Sequence, residues 1–133
     1  MNAPRVLLLT GDALLDQYAS EVFPETGDAV YSARNTDEAL RFVCRLADRL
    51  NFAVLDFEDG CHGMTLLRAI NACRKGLPIL VITQGDSEHA AALAYANGAA
   101  ACLARPFSQW TFAETVKQCR GIQPQRQLNY ENA

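Results

Sequence analysis

The chain has no excess of basic residues: 12 Lys and Arg stand against 15 Asp and Glu, a formal charge of −3 over 133 residues. A domain that grips nucleic acid carries a positive field over one face, so this balance argues against DNA or RNA contact by the chain itself. Metal-ligand spacing is missing as well. Five cysteines (Cys44, Cys61, Cys73, Cys102, Cys119) and two histidines (His62, His89) form no CxxC and no Cys/His ligand pattern. An odd cysteine count without a secretory leader reads as reduced thiols in a cytoplasm, most of them small buried hydrophobes. The adjacent Cys61 and His62 do not have the geometry of a nucleophile and its base. No apolar run is long enough to span a bilayer, because the Ala-rich stretch 90–104 is broken by Asn97 and Gly98. Internal repeats are absent, and the sequence reads as one domain over residues 1–121 followed by a polar tail or linker over 122–133.

What is present is enough apolar material for one core, half of the residues by count, arranged in an alternating pattern. Residues 5–9 (RVLLL) are a short continuous apolar run, the signature of a strand covered on both faces. Asp12 caps a helix over about 13–23, with Leu14, Leu15, Tyr18, Ala19 and Val22 on one stripe and Pro24 and Gly27 as stops. Strands follow at 29–33, 52–55, 77–82 and 100–104; helices run from a cap at Asn35, Thr36 or Asp37 to about 48, from the loop after the third strand to a stop at Gly76, and over about 87–96 and 109–119. The third helix follows a loop over 57–63 and carries Leu66, Leu67, Ile70 and Cys73 inward. Strict alternation of apolar strands with helices predicts an α/β fold of three layers, a doubly wound five-stranded parallel sheet.

In such sheets ligands lie beyond the carboxyl ends of the strands. The residues there are Thr10, Gly11 and Asp12, then Asp56, then Thr83 and Gln84, then Arg105 and Pro106. A carboxylate, a hydroxyl and a guanidinium after three strands make a set able to take up a phosphoryl group: the carboxylate attacks, and the donors hold the new oxygens. Arg105 would do this through a fork of donors rather than as a point charge.

The segments LNFAVLDFEDG, LPILVITQGD and ANGAAACLARPF resemble the third strand, fourth strand and final strand-turn of response-regulator receiver domains. The likeness runs over about residues 5–120. It implies the flavodoxin-like receiver fold, with Asp56 as phosphoacceptor, Thr83 as switch hydroxyl and Arg105 in place of the usual lysine. It also implies a magnesium ion held by Asp56, the backbone carbonyl of Glu58 and Asp12. Partners would be a histidine kinase or phosphotransfer protein, and a homodimer through the fourth helix, fifth strand and fifth helix. The departures are specific. Thr10 and Gly11 stand at the two acidic positions of the first strand end, and Cys102 stands at the aromatic switch position. With so few carboxylates, magnesium binding is expected to be weak. Removing acids near Asp56 also frees Arg105 to form a permanent ion pair with it, imitating part of the phosphorylated arrangement.

Two versions of a signalling module follow, neither an enzyme beyond its own phosphorylation and dephosphorylation: a receiver phosphorylated on Asp56, or a degenerate receiver that binds partners without phosphate. A flavin-type binder is a third reading, but the loop 10–12 is too short in donors for a flavin phosphate. An α/β enzyme with Asp56 as nucleophile lacks a second carboxylate to act as acid.

Overall fold

A computed structural model describes residues 5–25, 29–46, 48–57, 61–85 and 88–121. Five strands, β1 (Arg5–Leu9), β2 (Ala29–Ala33), β3 (Leu50–Asp56), β4 (Ile79–Thr83) and β5 (Ala101–Ala104), alternate with five helices. The helices are α1 (Ala13–Glu25), α2 (Thr36–Leu46), α3 (Cys61–Cys73), α4 (Glu88–Ala96) and α5 (Gln109–Gly121). All strand pairs are parallel and the order is β2-β1-β3-β4-β5, so the winding reverses between β1 and β3.

Strand periodicity sorts the core into two layers. Leu7, Leu9, Ala53, Leu55, Ile79 and Val81 face α2, α3 and α4, where Val43, Leu66, Leu67, Ile70 and Ala94 meet them. Val6, Leu8, Phe52, Val54, Leu80 and Ile82 face the other way, onto Leu15, Ala19 and Phe23 of α1 and Phe112 and Val116 of α5. Phe112 is a hub of this second layer, stacked on Phe107 and edge-on to Phe23. Local signals set the helix starts. Asn35 accepts from the Glu38 amide at 2.9 Å while the Glu38 carboxylate accepts from the Arg34 amide at 2.7 Å. Ser108 accepts from the Thr111 amide at the start of α5. Gly98 closes α4 with φ +112°, and Asn71 packs where its Cβ would be.

Several expected boundaries and faces move. Helix α1 carries Pro24 in its last turn instead of stopping before it, and α3 begins at Cys61, inside the expected loop. Strand β3 starts two residues earlier, at Leu50, and β4 starts at Ile79. Leu14 is 52% exposed, because the buried line of α1 runs Leu15, Ala19, Phe23 at intervals of four, a quarter-turn away from it. Cys73 is exposed at the end of α3 and Cys44 on α2, so of the four described cysteines only Cys119 is buried. Among the described residues no helix is long and apolar enough to cross a membrane.

Candidate functional site

Backbone hydrogen bonds one step past the strands hold the carboxyl edge of the sheet in place. Thr10 donates to Ala33 at 3.2 Å, Phe57 to Ile82 at 2.9 Å and Arg105 to Thr83 at 2.9 Å. Leu9 pairs with Leu55 and Asp56 with Ile82, so Thr10, Asp56, Thr83 and Arg105 all lie at this edge. Asp56 and Thr10 flank the point where the winding reverses.

Arg105 reaches across β4 and clamps Asp56. Nη1 donates to Oδ1 and Nη2 to Oδ2, both at 2.8 Å, in a two-pronged pair. The Asp56 side chain is 1% exposed and that of Arg105 17%. Nη2 also donates to Oδ2 of Asp12 at 2.8 Å. The Thr10 hydroxyl completes the cluster, donating to Asp56 Oδ2 at 2.6 Å and accepting from the Asp12 amide at 2.9 Å. Asp12 is also the cap of α1, accepting from the Leu14 amide at 2.9 Å. Residues from the ends of β1, β3 and β5 are thus tied into one network. The Arg105–Pro106 peptide beside it is cis.

The charges reinforce one another. The hydrogen bond from Arg105 holds the Asp12 carboxyl below its ordinary value, helped by the Leu14 amide and opposed by burial. Arg105 is held still more firmly protonated, first by Asp56 and then by Asp12. Away from the network, burial pushes the Cys102 thiol up and the Cys119 thiol up to about 11. Neither is a thiolate nucleophile near neutral pH.

The structure joins Asp56, Arg105 and Asp12 directly. The pair expected between Asp56 and Arg105 is present. Thr83 is buried at the edge, but its hydroxyl makes no hydrogen bond within the cluster; its carbonyl instead accepts from Arg105. Glu58, expected to lend a carbonyl to a metal, lies outside the described residues. A divalent cation does not fit the donors of the described residues as they stand. Both Asp56 oxygens and Oδ2 of Asp12 already face one guanidinium, and a dication bound there would lie within about 4 Å of that positive charge. Among the described residues no three His, Cys, Asp or Glu side chains gather as a metal site. Gly11 is not there for want of space, since a Cβ would meet nothing within 4 Å. The sequence reading missed Thr10 as a partner of Asp56, seeing in it only a lost acid. The signal was available: a hydroxyl that follows one central strand beside a carboxylate that ends the next.

No protein-family model matches the chain, and no curated protein matches it in sequence. Solved structures do match. A response regulator from Thermotoga maritima superposes with a TM-score of 0.79 at 19% identity, covering 90% of this chain and 99% of that one. A CheY-like response regulator receiver domain protein from Methanospirillum hungatei gives 0.77 at 20%, over 92% and 97%. A chemotaxis response regulator of Vibrio cholerae gives 0.77 at 23%, over 89% and 99%. The fold is therefore that of CheY-like receiver domains, the flavodoxin-like doubly wound sheet. At these identities the likeness is one of fold, and the site's chemistry rests on its own residues.

Proposed function

We propose that the chain is a receiver-fold interaction module of two-component signalling, with its binding surface set by the Arg105–Asp56 clamp instead of by phosphorylation of Asp56. The observation that carries this is the two-pronged pair itself. A carboxylate attacks a phosphorus centre through an oxygen lone pair that must be free to approach in line. Each Asp56 oxygen accepts from Arg105, Oδ2 accepts from Thr10 as well, and the side chain is nearly fully buried. The guanidinium also supplies a fixed positive charge where metal and lysine would together balance a phosphoryl group. Of the two versions drawn from the sequence, this geometry favours the degenerate receiver.

The clamp holds the end of β5 and the turn into α5 against β1 and β3. The surface most directly set by it is the α4–β5–α5 side, where Leu93, Tyr95 and Trp110 stand exposed at 41%, 53% and 70%. Exposed large apolar groups of this kind suit a protein partner or a second copy of the chain. The flavin reading loses support, because the Thr10 hydroxyl and the Asp12 amide, the donors a phosphate would use, are bonded to each other and to Asp56.

The test is a titration with magnesium and beryllofluoride, followed on the amides of residues 10–12, 56–57, 83–85 and 104–107. The proposal expects spectra that do not move. A saturable shift centred on Asp56 overturns it.

A further inference from the structure

Beside the clamp lies a cavity of about 200 Å³ that the function described so far does not use. Its lining is Leu14, Leu15, Tyr18, Pro106 and Phe107, and its polar groups are Asp12 and Arg105. The volume exceeds the ~150 Å³ that suffices to enclose a benzene-sized guest. Tyr18 and Phe107 pack on each other as a tilted pair, 6.1 Å between ring centroids, and form one aromatic wall of the cavity.

We infer that this cavity binds a small primary amine with an apolar body, its ammonium on Asp12. The charge balance selects the sign. Two carboxylates, Asp12 and Asp56, share one guanidinium, which leaves the cluster with one excess negative charge. An anionic ligand would have to compete with Asp12 for Arg105 Nη2 and would add a third negative charge beside one guanidinium. An ammonium leaves the buried Asp56 pair in place. It adds a donor to Asp12, whose side chain is 28% exposed and faces the cavity. The apolar lining, with Leu14 exposed at 52%, then covers the body of the ligand.

The inference rests on the clamp being the resting state. By sharing Asp12, a bound amine loosens one of the three bonds that hold Arg105, so the cavity offers the interaction surface a chemical input in place of phosphate.

The experiment titrates the whole chain with 2-phenylethylamine and, separately, with 2-phenylethanol, reading backbone amides and the Arg105 side-chain Nε resonance. A ligand this small is expected to bind with a dissociation constant on the order of a millimolar. Saturable shifts at residues 12–18 and 105–107 with the amine, and binding at least about tenfold weaker for the alcohol, support the site. Asp12→Asn keeps the helix cap and removes the charge, so it should weaken the amine about tenfold or more and leave the alcohol unchanged. Equal binding of amine and alcohol, or no shift with either, overturns the inference whether or not the variant folds. A phosphodonor reaction run in parallel and read by intact mass keeps the two ideas apart: phosphate on Asp56 defeats the clamp reading, while silence in the amine titration defeats only this one.

Discussion

Removing the Arg105 guanidinium should cost the fold more than any surface ion pair could. In the native state Asp56 is 1% exposed and takes two parallel bonds of 2.8 Å from Arg105. In Arg105→Ala the carboxylate stays buried and, among the described residues, keeps only the Thr10 hydroxyl as side-chain partner. Losing one member of a buried pair costs about 3–5 kcal/mol, roughly a fifth or more of the stability of an ordinary domain. Asp56→Ala should cost less, about 2 kcal/mol, because Arg105 keeps Asp12 and can turn toward solvent. In the double variant neither charge is stranded, so the losses should fail to add by about 2–3 kcal/mol. Urea unfolding of the four proteins gives these values directly, provided the slope with urea stays constant across the set. A coupling energy below about 0.5 kcal/mol, the range of an exposed ion pair, would refute the claim that the clamp is a buried and mutually dependent unit.

Three further outcomes follow from the same geometry. Asp12 is held below its unfolded-chain value of about 3.9 by Arg105, so its stabilisation is complete above that pH and disappears as the pH falls through the lower folded value; wild type and Asp12→Asn should therefore converge in urea stability as the solution is acidified below about pH 4. Gly98→Ala combines φ +112° with a Cβ only 2.7 Å from Asn71 Cγ, and thermal unfolding should show a loss of about 2 kcal/mol, against about 1 for Gly76→Ala, which has the positive φ but open space. Phe112→Ala empties the centre of the α1–α5 layer and should cost about 3–5 kcal/mol in the same assay, whereas Trp110→Ala, at a 70% exposed position, should stay within about 0.5.

The five parallel strands and the residues at the strand ends were legible because buried parallel strands read as short apolar runs and because ligand sites in such sheets follow those runs. Arg105 and Asp56 could be named as companions before their contact was seen, since each stands at a strand's carboxyl end and Thr10 and Gly11 leave no competing acid directly after the first strand. The role of Thr10 was not legible from residue type, as a hydroxyl in an acid's place shows only what is missing. It took the register of β1 on β3, with Leu9 opposite Leu55, to set that hydroxyl beside Asp56. The faces of α1 and α3 read correctly at Leu15, Ala19, Leu66, Leu67 and Ile70, and failed at Leu14 and Cys73. Leu14 fits the apolar stripe by spacing, yet it stands one residue off the buried line that starts at Leu15. The cap at Asp12 read correctly, because it acts through a bond to the amide two residues on and needs no tertiary context.

The central claim, that Arg105 holds Asp56 in a closed pair and leaves it no role as a phosphoryl acceptor, is tested most directly by intact-mass measurement after incubation with acetyl phosphate and magnesium. Wild type should keep its unmodified mass throughout the incubation. Accumulation of one phosphoryl group, lost in Asp56→Asn, would contradict the account.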